Sequence, residues 1–370
     1  MARIKDLASA FFASKRRIFL LIVPIIISLH FLFGFISKEY HPVQSVVSKA
    51  GLGLFSSGGR VNATLMMLCR NSELDGVISS VRQIEDRFNH QHHYPWVFLN
   101  DEPFTDEFKK RVSILTQSEV KFGLIPEEDW KQPSWIDEKK AKKSRQDMKK
   151  QWVPYADNVA YRNMCRWNSG FFHKHELLLP YKYYWRIEPN VQYFCDIVND
   201  PFQVMQRNGK TYGFTISLVE IPATVATLWE AVKEFMELYP QYIAKNNAMT
   251  FVSDNEGADY NFCHYWSNFE VADMDFYRGE AYTKFFEFLD SKGGFYYERW
   301  GDAPVHSIAV SILKTKSDVQ YFRDIGYKHD NFGHCPSDGE WEKGRCSCDP
   351  QESFNKGGYS CTWGWVNLVH

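Results

Sequence analysis

A carboxylate and an arginine stand where a predicted strand ends. Residues Tyr183 to Pro189 read Tyr-Tyr-Trp-Arg-Ile-Glu-Pro, an apolar run whose proline prevents helical continuation. Ligands of open α/β sheets bind at the carboxyl ends of strands, so Glu188 lies where chemistry is common. Arg186 shares its side of the strand, and the pair suits a hard cation together with the phosphate oxygens that it bridges. An ordinary ion pair explains the two residues about as well.

Polar and aromatic side chains are concentrated in the segment from Asn261 to Glu270. This segment is too apolar for a surface loop, and buried polar groups need either hydrogen-bond partners or a functional role. The alternation from Val271 to Phe276 predicts a strand that begins just after Glu270. Glu270 is therefore a second carboxylate at the boundary of an element.

Two histidines lie in similar surroundings further along the chain. His306 follows a charged and aromatic run that starts at Tyr296, and Asp302 is predicted to cap the helix that contains His306. We interpret His306 as a packed histidine of that helix in preference to a functional one. For His329, which lies on a glycine-containing loop after Asp324, a metal ligand and a structural histidine remain equally open.

Alternating strand and helix patterns predict the elements that position these side chains. Compact apolar runs predict strands, and apolar residues at helical spacing predict the helices between them. Such alternation favours an α/β domain with a largely parallel central sheet. The predicted elements are strands over Ala63–Cys69, Trp96–Leu99 and Val120–Ile125, and helices over Ser72–Phe88, Thr105–Val112, Leu228–Tyr239 and Ala281–Leu289.

The N-terminal region carries a signal for membrane insertion. Residues 18–36 have no formal charge, and at ~1.5 Å per residue a helix of this length crosses a bilayer core. The Lys-Arg-Arg run at residues 15–17 predicts a cytoplasmic tail of residues 1–17 and a lumenal remainder. A cleaved signal peptide is the alternative, but the apolar run exceeds an ordinary one and no clear cleavage site follows. Residues 37–60 are predicted to be a stem, and residues 61–370 a lumenal domain.

The charge balance and the cysteines narrow the class of protein. With 43 Lys and Arg against 45 Asp and Glu, the formal charge of -2 gives no long-range attraction to nucleic acid. The last 36 residues form a loop-rich tail that is poor in apolar residues and contains Cys335, Cys346, Cys348 and Cys361. Two disulfides are predicted to hold this tail together. A zinc site is the alternative, but the C-x-C pair lacks the usual paired spacing.

Several longer motifs, each different, lie along the chain from about Val61 to Cys361. They are Arg70–Leu74, Tyr94–Phe104, Tyr161–Arg166 with Asn168–Gly170, Trp185–Pro189, Cys263–Glu270 and Gly293–His306. Together these motifs closely resemble the fungal GDP-mannose-dependent α-1,2-mannosyltransferases, the glycolipid 2-α-mannosyltransferases of the yeast Golgi.

The resemblance implies a GT-A-like nucleotide-sugar-binding fold that uses Mn2+ and GDP-mannose. The implied reaction transfers mannose to a mannose-terminated acceptor with retention and forms an α-1,2 linkage in O- or N-linked protein glycosylation. The implied location is the Golgi membrane, as a single-pass type II protein with a lumenal catalytic domain. A mannosylated glycoprotein or glycolipid is the implied acceptor.

The resemblance also assigns roles to the residues described above. The implied metal ligands are Glu188 and His329, and the implied nucleophile is Glu270. A metal that bridges the two phosphates neutralises the charge on the departing GDP without proton transfer. A covalent route and a front-face route to retention remain open.

The remaining implied site residues surround the donor and the acceptor. Tyr161 is expected beside the donor and in the catalytic centre, and Glu220 is expected on the acceptor side. Arg70 is expected to contact the nucleotide. Arg186 adds fixed positive charge next to the phosphates.

Two other functions fit parts of this pattern. A metal-dependent glycosidase also places two carboxylates beside a sugar, but it would not require GDP-mannose. A membrane-held sugar-binding protein without catalysis is the second alternative, and the joint presence of Glu188, Glu270 and His329 argues against it. The sequence leaves open which glycan is the acceptor and which mannose in the series is added.

Overall fold

The computed structural model describes residues 60–369 of the chain. The predicted cytoplasmic tail, the predicted membrane span and nearly all of the predicted stem lie outside the described residues. Within residues 60–369, no helix is both long enough and apolar enough to cross a bilayer.

Seven of the strands in the described residues form a central sheet. In all, residues 60–369 contain twelve strands, which are β1 (Ala63–Leu68), β2 (Trp96–Asn100), β3 (Val120–Leu124), β4 (Tyr183–Arg186), β5 (Gln192–Tyr193), β6 (Tyr212–Phe214), β7 (Ser217–Val219), β8 (Cys263–Tyr265), β9 (Glu270–Asp273), β10 (Val319–Tyr321), β11 (Tyr327–His329) and β12 (Phe332–His334). The order in the central sheet is β10-β6-β9-β4-β1-β2-β3. Only β9 runs antiparallel to its neighbours in this sheet. The predicted α/β domain with a largely parallel sheet is therefore confirmed, with one reversed strand.

The reversed strand β9 brings together two charged residues that the sequence places on separate elements. Glu270 of β9 lies directly opposite Arg186 of β4. Opposed residues on neighbouring strands project from the same face of a sheet. The strand predicted as far as Phe276 ends at Asp273 instead, because the Asp273 carboxylate accepts a hydrogen bond from the Asp275 backbone and caps the next helix.

Helices cover both faces of the central sheet. They are α1 (Leu74–Ile84), α2 (His90–His92), α3 (Asp106–Ser113), α4 (Glu127–Trp130), α5 (Glu138–Lys150), α6 (Val159–Gly170), α7 (Pro201–Arg207), α8 (Leu228–Leu238), α9 (Met249–Val252), α10 (Met274–Arg278), α11 (Glu280–Ser291), α12 (Gly294–Tyr297), α13 (Asp302–Leu313), α14 (Gly339–Lys343) and α15 (Thr362–Val369). All four helices predicted from periodicity are present, and their ends differ from the prediction by only a few residues. Helix α11 ends before Gly293, whose φ of 73° is the left-handed conformation that terminates a helix.

Alternate residues of β1 enter two separate hydrophobic clusters. Leu65 and Met67 pack in the cluster that contains Val77 and Val81 of α1. Met66 points the other way, into the cluster that contains much of α8, α11 and α13. Successive side chains of a strand alternate between faces, so a strand that is buried on both sides is apolar throughout. This burial is why β1 reads in the sequence as an apolar run in which Thr64 is the one polar residue.

Disulfides join the C-terminal tail to the body of the domain. Cys335 pairs with Cys348, Cys346 pairs with Cys195, and Cys361 pairs with Cys263. The prediction of two disulfides within the tail is therefore wrong, because the tail folds back along β5 and β7 and meets cysteines there. All four tail cysteines are oxidised in these bonds, which excludes the zinc alternative.

Candidate active site

A cavity of about 380 Å3 opens at the carboxyl ends of β1 and β4. This is the edge at which open α/β sheets bind ligands. Side chains from widely separated parts of the chain line it. They include six of the residues expected from the sequence, namely Arg70, Tyr161, Arg186, Glu188, Glu220 and His329.

Arg186 holds two carboxylates in the wall of this cavity. Its Nε donates to Glu188 Oε1 at 2.7 Å, and its Nη1 donates to Asp302 Oδ2 at 2.5 Å. Burial by itself would lower the pKa of Arg186, but the charges of Glu188 and Asp302 raise the pKa above its ordinary value. Arg186 is therefore a permanent cation, and its rigid fork fixes both carboxylates.

Asp302 is a site residue that the sequence did not identify. It was predicted to cap α13, but Gly301 occupies the cap position and Asp302 is the first residue of the helix. Its carboxylate accepts from Arg186 and from the Ser267 hydroxyl at 2.7 Å. Burial by itself would raise the pKa of Asp302, but the charge of Arg186, the neighbouring His306 and the hydrogen bonds from Ser267 and Arg186 together lower it. The only sign of a role for Asp302 in the sequence was its position in the charged and aromatic run from Tyr296 to His306. That run gave no indication that Arg186 is its partner.

Glu188 and His329 reach the cavity from two sheets. Glu188 follows β4 of the central sheet, and His329 ends β11 of a small sheet in which β11 lies between β5 and β12. The His329 ring packs edge-on against Trp266, with 5.3 Å between ring centroids. Its Nδ1 lies 3.4 Å from Asp330 Oδ2 and 3.3 Å from the Asn268 side-chain amide. Both of these neighbours lie at Nδ1, so Nε2 is the ring nitrogen that would bind a cation.

The donor set of this cavity fits a divalent cation that is only partly bound by protein. Within residues 60–369, no three His, Cys, Asp or Glu side chains are arranged to hold a metal by themselves. A carboxylate and an imidazole are both ligands that Mn2+ accepts. The remaining coordination positions would fall to ligand oxygens or water. Glu188 and His329 therefore suit a cation that binds together with a phosphate-containing ligand.

Arg70 supplies a second cation at the mouth of the cavity. It lies two residues after Leu68, the last residue of β1, and is exposed. Its guanidinium forms no salt bridge with any residue in the described part of the chain. Unlike Arg186, it is therefore available to an anion that enters from solvent.

Glu220 follows β7 directly and also lines the cavity. Its Oε1 is 3.6 Å from Arg299 Nη2. The guanidinium of Arg299 in turn lies over the ring of Tyr161, 5.2 Å from the ring centroid. Arg299 was not identified from the sequence, although it falls within the charged and aromatic run after Tyr296. Its side chain therefore links the acidic Glu220 to the aromatic Tyr161.

Tyr161 stands in the first turn of α6. The Asn158 side chain caps this helix by accepting from the Tyr161 backbone amide at 3.0 Å. Burial raises the pKa of the Tyr161 phenol well above its ordinary value. The hydroxyl therefore stays protonated at neutral pH and can donate a hydrogen bond to a ligand.

The structure does not bring Glu270 to the cavity with the other expected residues. Glu270 is 0% exposed and is absent from the cavity wall. Its carboxylate accepts from the hydroxyls of Tyr212 at 2.8 Å and Tyr277 at 2.9 Å. Burial raises the pKa of Glu270, although the neighbouring His306 opposes the increase.

His306 completes the closed network around Glu270. Its Nδ1 lies 2.9 Å from Glu270 Oε2, and its Nε2 lies 3.0 Å from the carbonyl oxygen of Asn168. Both ring nitrogens are therefore occupied by protein. This arrangement agrees with the interpretation of His306 as a packed histidine of α13.

Comparison with known proteins identifies the family. Residues 37–370 match the family described as glycolipid 2-alpha-mannosyltransferase. The chain is 50% identical to glycolipid 2-alpha-mannosyltransferase 1 of Candida albicans over 347 residues, which is 90% of this chain and 80% of that protein. It is 46% identical to alpha-1,2 mannosyltransferase KTR1 of Saccharomyces cerevisiae over 336 residues, 88% of this chain and 86% of that protein.

A solved structure agrees with the sequence comparison. Core-mannan synthase A (CmsA/Ktr4) from Aspergillus fumigatus, in its Mn/GDP form, superimposes with a TM-score of 0.79 at 41% identity. The match covers 86% of this chain and 87% of that one. The fold is thus that of an α/β glycosyltransferase. The chain belongs to the glycolipid 2-alpha-mannosyltransferase family, which confirms the family and the mannosyltransferase activity predicted from the sequence.

Proposed function

We propose that this enzyme transfers mannose from GDP-mannose to a mannose-terminated acceptor with retention and forms an α-1,2 linkage. One observation carries the proposal: a single cavity is lined by two arginines, an imidazole and two carboxylates, namely Arg70, Arg186, His329, Glu188 and Glu220. The name of the Saccharomyces relative supports the linkage. The Mn/GDP form of the Aspergillus relative supports the metal and the nucleotide.

Glu188 and His329 are the proposed ligands of Mn2+. When bound, the metal supplies Lewis-acid neutralisation of the charge on the leaving diphosphate. Arg186 fixes the Glu188 carboxylate through a 2.7 Å hydrogen bond, so this ligand is oriented before the donor arrives. Trp266 restricts the His329 ring in a comparable way.

Arg70 and Arg186 are the proposed contacts to the phosphates and the nucleotide. Arg186 is already shared between two carboxylates, so its main contribution is a fixed positive charge and the orientation of Glu188. Arg70 has no such partner in the described residues and can bind a phosphate oxygen directly. The two residues therefore serve different purposes despite their equal charge.

Glu220 is the proposed acceptor-side residue. Arg299 keeps this carboxylate beside the cavity at a separation of 3.6 Å. An ionised carboxylate accepts hydrogen bonds, so Glu220 can orient the hydroxyl groups of an acceptor sugar. Tyr161 is proposed to lie beside the donor, where its protonated phenol can donate a hydrogen bond.

Glu270 is proposed to support the reaction centre from behind the cavity wall. Three side chains already engage its carboxylate, which disfavours direct attack on the sugar. It lies on the same sheet face as Arg186, one strand away. A buried charge next to the site favours positive charge on the sugar ring in the transition state. This position supports the electrostatic role, although the resemblance assigns Glu270 as the nucleophile.

We also infer a GT-A type of fold and a Golgi location. In this proposal residues 1–17 are cytoplasmic, residues 18–36 span the membrane, residues 37–60 form a stem, and residues 61–370 form the lumenal catalytic domain. The three disulfides support this topology, because such bonds persist in oxidising compartments. A mannosylated glycoprotein or glycolipid is the proposed acceptor.

Mannose transfer by the purified full-length chain tests the proposed function. Radiolabelled GDP-mannose is supplied with Mn2+ and a panel of α-mannosides that differ in the group at the reducing end. We expect a labelled product whose new linkage is α-1,2 and whose formation requires the metal. Product with another linkage would contradict the proposal, and so would cleavage of the mannosides without GDP-mannose.

A further inference from the structure

The loop between α5 and α6 presents aromatic side chains to solvent beside the cavity. Trp152 is 90% exposed and Tyr155 is 56% exposed. Both residues have a left-handed backbone, with φ of 58° and 56°. Non-glycine residues adopt this conformation at an energetic cost that surrounding structure must offset. Exposed aromatic rings in a strained loop at the mouth of a cavity indicate a binding function.

Buried contacts hold this loop in place. Arg162 of α6 is 0% exposed, and its Nη1 donates to the carbonyl oxygens of Tyr155 and Asn158 at 3.3 Å each. Val153 packs in a small apolar cluster against which Ala223 also packs. Ala223 belongs to the turn that follows Glu220. The loop is therefore fastened to α6 and to the segment that carries the acceptor-side carboxylate.

Four side chains form a column that runs from Glu220 to solvent. Glu220 pairs with Arg299, and Arg299 lies over one face of the Tyr161 ring. The ring of Tyr155 stacks on Tyr161, with 4.5 Å between centroids and 5° between planes. Tyr155 also lines the cavity. Tyr161 thus covers one face of the Tyr155 ring. The other face is open, which agrees with the 56% exposure of Tyr155.

We propose that the open face of Tyr155 binds the second sugar of the acceptor. Aromatic rings stack on the apolar faces of hexoses, and the phenol hydroxyl of a tyrosine can form hydrogen bonds with sugar hydroxyls. The column starts at Glu220, which we place on the acceptor side, and the loop contacts the turn after Glu220. The proposed metal and phosphate ligands come from other elements. The proposal rests on the proposed function and adds to it that the preferred acceptor contains at least two mannose residues.

Acceptor kinetics of Tyr155→Ala test this subsite. Full-length enzyme is assayed with methyl α-mannoside and with methyl α-1,2-mannobioside, at saturating GDP-mannose and Mn2+. We expect KM for the disaccharide to rise roughly five- to tenfold while kcat stays within about twofold, as loss of one stacked ring predicts. KM for the monosaccharide should be unchanged. Tyr155→Trp keeps an aromatic face and should restore most of the disaccharide affinity.

A matched control separates the subsite from a general effect of surface change. Trp363 of α15 is 59% exposed and does not line the cavity, so Trp363→Ala should leave both KM values unchanged. An equal rise of KM for both acceptors in Tyr155→Ala would overturn the proposal, and so would an unchanged disaccharide KM. A rise of KM for GDP-mannose alone would assign the ring to the donor and also overturn it. Failure of the proposed function is distinct, since the unmodified enzyme would then transfer mannose to neither acceptor.

Discussion

Arg186 illustrates how a single side chain organises the charge of the cavity. One guanidinium binds Glu188 and Asp302 through different nitrogens, which a lysine ammonium could not do with the same fixed geometry. Both the arginine and Asp302 are almost fully buried. Removing one partner of a buried pair costs about 3–5 kcal/mol, because the other charge is left uncompensated. The ion pair between Arg186 and Glu188, which was one of two interpretations of the sequence, is therefore present. It also orients Glu188, the proposed metal ligand.

Glu270 provides a test at the scale of one residue. Glu270→Gln keeps the shape of the side chain and removes its charge. If the charge stabilises the transition state, kcat should fall by roughly a hundredfold, the scale of losing one preorganised electrostatic contact. Binding of GDP-mannose and Mn2+ should persist, because the lost interaction acts mainly in the transition state. Steady-state kinetics and calorimetric donor binding measure the two effects.

A second variant is the control for a folding defect in Glu270→Gln. Tyr277→Phe removes one hydrogen bond to Glu270 but leaves the charge, so its kcat should change by only a few-fold. A folded Glu270→Gln protein with near-normal turnover would eliminate the proposed electrostatic role of this carboxylate.

At the scale of elements, the proposed metal site depends on two sheets that meet at the cavity. Glu188 follows a central strand, whereas β11 carries His329 in the small sheet next to β5 and β12. The Cys195–Cys346 disulfide lies beside this small sheet, and Gly326 just before β11 packs closely against Cys195. The strand that carries His329 therefore packs next to a disulfide, while Trp266 contacts the imidazole itself.

Replacing either proposed ligand should weaken metal binding. Glu188→Ala and His329→Ala should each raise the Mn2+ concentration for half-maximal activity by at least about tenfold, because each removes one of two protein ligands. Electron paramagnetic resonance of Mn2+ in the presence of GDP measures the same loss without turnover. Glu234→Ala, a carboxylate on α8 outside the cavity, is the control and should leave both quantities unchanged. Wild-type metal dependence in either ligand variant would refute that ligand.

At the scale of the whole molecule, the disulfides and the charge pattern predict one orientation. The basic run at residues 15–17 precedes the uncharged stretch at residues 18–36, so the domain should lie on the side opposite the cytosol. In sealed microsomal vesicles that contain the full chain, added protease should spare everything after residue 36. Detergent should remove this protection. Digestion of the domain in intact vesicles would contradict the predicted topology.

Sequence alone determined the features that depend on neighbouring residues. The apolar run of β1, the helical spacing of α8 and α11 and the stop at Gly293 follow from local periodicity and backbone preference, and all are present. Glu188 was located correctly at the end of a strand, because a proline and an apolar run mark such an end within a few positions. The long motifs were sufficient to identify the family.

Only the tertiary structure decided which distant residues meet. The reversal of β9, the pairing of Cys346 with Cys195 and of Cys361 with Cys263, and the burial of Glu270 all depend on strand order and on the path of the tail. Asp302 had a plausible local role as a helix cap, and its contact with Arg186 spans 116 positions of sequence. No local pattern specifies such a contact, because the packing of the whole domain brings its two members together.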